Sequence, residues 1–257
     1  MGKVRVNVTQ LPSSDPRYQK WRKSLKGRVS WAKGKTKEND IRIKRRSVLM
    51  KKRGIDNFSV WRKEQIRSGK IKSIYPRLKH STELAYLYGF ILGDGHIEKH
   101  PRTEKLVITL NTKYPILIKN VERVMFTVFG KMPKVSLDNS SECCRVYIYE
   151  KYLSRRLHIK TGNKGQLLHI VPSWINRSKK FTLSFVKGLF EAEGSVSVHL
   201  PTYTYNMSFA NKNRSLLDIV ENILLSLGLH PEKREVVVRL RRKNEVEYFR
   251  KLINFRE

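Results

Sequence analysis

Two nine-residue segments of this chain share one arrangement: Leu-Tyr-Gly-Phe-Ile-Leu-Gly-Asp-Gly at 87–95 and Val-Lys-Gly-Leu-Phe-Glu-Ala-Glu-Gly at 186–194. Each has glycine third, a small residue seventh, an acid eighth and glycine last, so Asp94 and Glu193 hold matching places 99 residues apart. On a helix Gly89 and Gly93 share a face, as do Gly188 and Ala192. Glycine inside a helix costs about 1 kcal/mol relative to alanine, so its repeated use calls for a packing reason. Small residues let two backbones approach closely, a steric logic best documented in membranes. Close approach would bring both helix ends, and both acids, to one spot. That placement is electrostatically poor. Acids disfavour the negative end of a helix dipole, and two carboxylates ~5 Å apart repel by about 3 kcal/mol at an effective dielectric of about 20. A divalent cation relieves both penalties: carboxylate, carbonyl and water ligands suit Mg2+, which can activate water against a phosphodiester. Either segment alone would read as the end of a core helix at a turn; their duplication argues for chemistry.

The elements that must position these acids are also doubled. A helix over 82–93 opens on Ser81 or Thr82 as N-cap, with Glu83 in its first turn. Strands follow at about 96–100 and 105–111, the second alternating Leu106, Ile108 and Leu110 with Lys105, Val107, Thr109 and Asn111. A helix at about 115–129, a turn at Gly130–Pro133, a hairpin at about 134–138 and 144–149, and a helix at about 150–159 complete the unit. At an offset of 99, Leu106, Ile108 and Leu110 become Tyr205, Met207 and Phe209, and Val121-Glu122 becomes Val220-Glu221. The offset drops to 98 at Gly228 and Pro231, then shrinks as if the loop at 139–142 were shorter in the second copy. A register held through helix, strands and helix indicates internal duplication. A basic connector over 161–181 separates the copies, 80–160 and 182–257.

The chain of 257 residues carries 54 Lys and Arg against 22 acids, a net charge of +32. Such a field attracts polyanions, nucleic acid first. No apolar run approaches the ~18 residues of a membrane span, no signal-peptide region is evident, and position 6 lacks the Ser or Thr of a myristoylation site. Cys143 and Cys144 are adjacent, which excludes a disulfide framework and a cysteine zinc site and fits a reducing, intracellular compartment. His96 and His100 lie four apart beyond Asp94, but Gly95 and Pro101 argue against the continuous helix that a metal pair would need. Residues 1–80 hold 25 basic and 5 acidic residues, with little apolar periodicity. They read as a basic arm, residues 1–79, with helices at about 38–53, stopped by Gly54, and 56–68, started by Asp56 or Asn57 and stopped by Gly69.

The segment LAYLYGFILGDGHI at 84–97 resembles the first motif of LAGLIDADG homing endonucleases, and FVKGLFEAEGSV at 185–196 resembles the second. VPSWI at 171–175 is similar to the approach to second motifs, and the resemblance covers about 80–257. It implies an α+β fold, a pseudo-twofold duplicated αββαββα unit with the motif helices at the interface and four strand pairs on DNA. It implies that Asp94 and Glu193 are the catalytic, metal-binding acids, with Gly93 and Ala192 lending backbone oxygens. The cofactor would be Mg2+, replaceable by Mn2+, with Ca2+ binding without cleavage. The sixth motif position, often acidic in the family, is Leu92 in one copy and Glu191 in the other; a central basic residue would be Arg239, Arg241 or Lys243. WAKGKTKENDIRIKRR at 31–46 resembles nuclease-associated modular DNA-binding motifs, with Ala32 and Asn39 departing from the pattern. It implies a mostly helical or extended arm placing Lys33, Lys35, Lys37, Arg45 and Arg46 on phosphates.

Strand faces opposite the core would read bases in the major groove. The first copy offers Lys99, Arg102, Lys105, Thr109 and Asn111, then Lys134, Ser136, Arg145, Tyr147 and Tyr149. The second offers His199, Thr202, Thr204, Asn206 and Ser208, then Lys233, Arg239 and Arg241. The expected function is metal-dependent cutting of both strands of a long DNA site, leaving short 3′ overhangs, by a monomer. The alternatives are an RNA maturase acting on intron RNA, which intact acids do not exclude, and a non-cleaving DNA-binding regulator, which predicts substituted acids.

Overall fold

The computed structural model describes residues 9, 11–54, 58–138, 141–162 and 168–256. The chain divides into two compact units, Met1–Ser73 and Ile74–Glu257.

In the first unit, helices α1 (Pro16–Leu25), α2 (Ile41–Lys52) and α3 (Ser59–Arg67) bury no residue. The last two answer the expected pair, with Gly54 and Gly69 at positive φ as their stops. Asp56 and Asn57 lie outside the described residues, and Phe58 takes the N-cap place of α3. The first helix is a correction to the two-helix reading. Its start is written in Asp15, whose side chain accepts from the Arg17 N–H, and in Pro16 at N1, but no apolar stripe follows. Asp40 caps α2 in the same way, and Arg42 turns back to grip the Asp40 carboxylate at 2.9 and 3.2 Å. Trp31 lies under Arg42, 5.0 Å from its guanidinium, and 5.6 Å from the Lys35 ammonium. Among its described residues none is buried, and capping and cation–π contacts order the helices.

The second unit repeats one programme. Helix α4 (Thr82–Gly93) leads to β1 (Gly95–Lys99), β2 (Glu104–Asn111), α5 (Pro115–Phe129), β3 (Lys134–Leu137), β4 (Cys143–Glu150) and α6 (Leu153–Leu157). Helix α7 (Lys179–Glu193) leads to β5 (Gly194–His199), β6 (Thr204–Ala210), α8 (Arg214–Ser226), β7 (Glu232–Arg234), β8 (Val237–Leu240) and α9 (Lys243–Leu252). The two antiparallel sheets have matching orders, β1-β2-β4-β3 and β5-β6-β8-β7. Leu110 pairs with Cys144 and Phe209 with Val238, so the offset of 99 between middle strands falls to 94 by the fourth. The connection ahead of β8 is therefore the shorter one. The helix expected at 150–159 shrinks to Leu153–Leu157, because β4 runs through Glu150 and Tyr152 turns left-handed at φ 60°. The second motif helix starts at Lys179, ahead of the expected 182.

Helix α4 is buried from Leu84 through Leu92, on every face, as befits a helix enclosed by protein. Its partner across the repeat interface is α7. A Cβ on Gly89 would overlap the Phe185 carbonyl oxygen, and one on Gly188 would overlap that of Tyr86. These are the same contact seen from both sides, since 86 and 185, like 89 and 188, are related by the repeat. Helices α5 and α8 are amphipathic and cover one face of each sheet, through Leu117, Val121, Val124 and Met125 and through Leu216, Leu217, Val220 and Leu224.

Either Gly89→Ala or Gly188→Ala should therefore cost about 3 kcal/mol or more by chemical denaturation, at the upper end of overpacking. Gly130→Ala, a left-handed cap with open space around it, should cost only about 1 kcal/mol. Equal losses at all three would contradict the backbone contact.

Candidate active site and nucleic-acid interface

The interface tightens toward the helix ends. A Cβ on Gly93 would lie 2.6 Å from that of Ala192 and 3.0 Å from Glu193 Cγ. The glycine preceding Asp94 thus abuts the side chain of Glu193, and the two acids share one end of the paired helices. Asp94 is exposed and Glu193 half-buried. Asp94 remains helical (φ −90°, ψ −2°), its N–H donating to the Phe90 carbonyl, whereas Gly194 is already extended. Asn211 Nδ2 donates to Glu193 Oε1 at 3.1 Å, and Asn211 Oδ1 accepts from the Asn213 N–H at 2.8 Å, fixing which way the amide faces. Asn211 is absent from the residues expected at the site; its only signal in the sequence is a polar residue directly after the alternating run of β6.

The donors gathered here are all oxygens: two carboxylates, with the backbone oxygens of Gly93 and Ala192 beside them in sequence. That set fits a hard divalent cation. Among the described residues no group of three or more His, Cys, Asp or Glu is gathered to hold a metal. Such a set leaves places for water and phosphate oxygens, as Mg2+ prefers. His96 and His100 are elsewhere engaged. Both lie beside the Glu98 carboxylate, at 3.0 and 3.5 Å, with Lys105 at 3.3 Å. The His96 hydrogen bond, with help from Lys105, holds the Glu98 carboxyl below its usual range.

Glu191 lies two residues before Glu193 and is buried. Its carboxylate accepts from Tyr86 OH on α4, whose oxygen in turn accepts from Asn120 Nδ2 on α5 at 3.3 Å, and Lys187 Nζ approaches at 3.5 Å. Burial pushes the Glu191 carboxyl up despite these partners, and burial with the adjacent carboxylate pushes the Tyr86 phenol up.

Strand parity sorts the expected DNA contacts. On the first sheet, Leu106, Ile108, Leu110, Cys144, Val146 and Ile148 face the helices. Lys105, Thr109, Asn111, Arg145, Tyr147, Tyr149, Lys134 and Ser136 share the outer face. Lys105 Nζ sits 4.9 Å from the Tyr147 ring centre, so its charge is spread over an aromatic strip. Lys99 is corrected: it follows Gly95 and Ile97 in parity, and the outer residues of β1 are His96 and Glu98. Arg102 lies in the exposed turn between β1 and β2. On the second sheet Ser195, Ser197, His199, Thr204, Asn206, Ser208 and Arg239 share the outer face, with Arg241 continuing it. Ser195 and Ser208 hydroxyls meet at 2.9 Å, and His199, Thr202 and Thr204 form a hydrogen-bonded chain. Glu232 holds Arg239 at 3.0 Å and Arg241 at 3.7 Å. Lys233 is also corrected, because it bonds Asp218 and Glu221 of α8 on the helix side. Lys243 likewise lies over the Tyr205 ring, whose parity is that of the core. In the arm, Lys33, Lys37, Arg45 and Arg46 are solvent-facing to varying degrees, while Lys35 is drawn toward Trp31 and Asp40.

Residues 180–257 match the family model described as a LAGLIDADG-like domain. An uncharacterized protein of Methanocaldococcus jannaschii, MJ0314, is 26% identical over 156 residues, 59% of this chain and 57% of that protein. The chain thus spans little more than half the length of the curated relative it matches. Among solved structures, the homing endonuclease I-DmoI in complex with DNA and Mn aligns over 67% of this chain and 96% of its own, with TM-score 0.48 and 19% identity. Full-length DUF199/WhiA from Thermatoga maritima aligns over 70% of this chain and 58% of its own, with TM-score 0.49 and 16% identity.

The Glu191 network sets a pH dependence. A raised folded-state value means that the native protein keeps this proton where the unfolded chain, near 4.5, has lost it. Stability should then fall as pH rises from about 4.5 toward the raised value. Glu191→Gln should flatten that interval in denaturation curves measured at stepped pH. An unchanged profile would remove Glu191 as its source.

Proposed function

We propose that this chain, whose residues 180–257 match the model of a LAGLIDADG-like domain, is a site-specific endonuclease that cuts both strands of duplex DNA with a divalent cation. Mg2+ is the proposed cofactor, with Mn2+ able to replace it and Ca2+ binding without cleavage. One observation carries the reading: a reciprocal glycine contact delivers two acids, one from each repeat, to a single end of a helix pair in a strongly basic chain. A repulsive pair of carboxylates held there is hard to explain as stabilisation and easy to explain as a cation site.

Asp94 and Glu193 would hold the cation, which supplies Lewis acidity at the scissile phosphodiester. Asn211 keeps one Glu193 oxygen oriented. The outer sheet faces would lie in major grooves on either side of the cut, Arg145 and Lys105 suiting guanine edges and Asn111 and Asn206 adenine. Both acids come from one chain, so a monomer suffices. Residues 1–73 would extend contact along the backbone through Lys33, Lys37, Arg45 and Arg46.

The test is cleavage of a randomised duplex library with Mg2+ and with EDTA, with the ends sequenced. Metal-dependent cuts should converge on one long site with 3′ overhangs. Tight duplex binding without cuts at any divalent cation would instead favour a regulator, and preference for structured RNA a maturase. Asp94→Asn and Glu193→Gln should each abolish double-strand cutting while duplex affinity stays within about tenfold, since the acids contact the cation rather than the grooves. Loss of binding in step with cutting would make these acids structural. Removing residues 1–73 should weaken binding and flatten its salt dependence by about 0.9 in log–log slope for each phosphate no longer neutralised. Full affinity in the truncated protein would sink the role given to the arm.

A further inference from the structure

The residue directly after Glu193 is held by one far away in sequence. Arg256 NH2 donates to the Gly194 carbonyl at 3.0 Å. The same guanidinium stacks on Tyr114, 4.7 Å from the ring centre, with NH1 3.4 Å from the hydroxyl. Tyr114 belongs to the first repeat, just ahead of α5. The segment carrying Arg256 is itself held, because Lys187 Nζ donates to the Asn254 carbonyl at 2.9 Å and Phe255 is buried. A cation placed at the C-terminal end of α7 offsets the helix dipole where an acid must sit.

A different residue stands at the corresponding place of the first repeat. His158 and Asn254 both turn left-handed after the last helix of their repeats. Each is followed by the same closing hydrogen bond, Ile159 N–H to Ser154 carbonyl at 3.0 Å and Phe255 N–H to Arg250 carbonyl at 3.1 Å. Lys160 therefore stands where Arg256 stands. Lys160 is exposed, and among the described residues its side chain makes no hydrogen bond or ion pair. Arg256 thus serves the Glu193 end of the helix pair, and Lys160 makes no matching contact among the described residues.

We propose that Arg256 is a positioning residue for Glu193, binding the end of α7 to the first repeat through Tyr114, so that the two strand cuts differ in their dependence on it. This rests on the endonuclease reading. Misplacement of a reacting group by about 1 Å can cost up to 100-fold in rate.

The experiment follows each labelled strand of the library-derived site in single-turnover cleavage by the full chain and its Arg256→Met, Arg256→Gln and Tyr114→Leu variants. Asp94→Asn and Glu193→Gln serve as references. Hydrogen exchange is measured on the same proteins without metal or DNA. Arg256→Met should slow one strand about tenfold, the strand that Glu193→Gln slows more, so that nicked duplex accumulates. Duplex affinity should stay within about twofold, since the side chain is committed to protein groups. Arg256→Gln, which keeps an N–H donor for the Gly194 carbonyl, should recover part of the rate. Tyr114→Leu should share the strand bias. Exchange should rise over 191–195 and not over 92–96. Equal slowing of both strands, or weakened affinity marking Arg256 as a phosphate contact, would overturn the proposal, as would unchanged exchange over 191–195. If the parent protein cuts no DNA, the endonuclease reading fails by itself, and the exchange measurement still decides whether Arg256 holds this end of α7.

Discussion

The second unit is organised around one steric fact: at Gly89 and Gly188 no side-chain atom fits between α4 and α7. Each glycine receives a carbonyl of the opposite helix, from Phe185 and from Tyr86. The contact is its own counterpart under the repeat relation, so it fixes the axis about which the two αββαββα copies are arranged. It also fixes the separation of the helix ends, where Gly93 and Ala192 continue the same face. A larger residue anywhere along this seam would displace one repeat against the other, and with it one acid against the other.

What is costly about the centre is compensated nearby. Glu193 sits at the negative end of its helix beside another acid, and the structure surrounds it with donors: the Asn211 amide on one oxygen and the Arg256 guanidinium one residue on. The outer sheet faces follow the same rule with opposite sign. Glu98 gathers Lys105 and two histidines, and Glu232 gathers Arg239 and Arg241. These acids hold long cationic side chains in fixed positions on the outer faces, which lowers the cost of ordering them. The two faces are chemically unlike, aromatic and cationic on the first sheet and hydroxyl-rich on the second.

Much of this is legible in the chain. The motif helices, the strand alternation and the shortened second loop are local patterns repeated twice, and repetition turns a weak signal into a strong one. Helix Pro115–Phe129 announces itself with proline at its start and Gly130 at its end. Lys99 and Lys233 fall on the face opposite to the expected one, because composition at a strand end does not give parity; one residue of register decides which face a side chain takes. Helix α1 escapes a search for periodicity because a helix that buries no residue leaves no apolar stripe, and only Asp15 and Pro16 mark it.

The sequence by itself determined the duplication, the small-residue seam, the two acids and the basic field, because each is carried by residue type and spacing along a few turns of chain. Only the tertiary structure decided which groups serve those acids. Asn211 reaches Glu193 across the open end of the β5–β6 hairpin, Tyr86 reaches Glu191 between repeats, and Arg256 reaches Gly194 and Tyr114 from the far end of the second copy. Such contacts depend on where packed elements place side chains distant in sequence, and no local period encodes that distance.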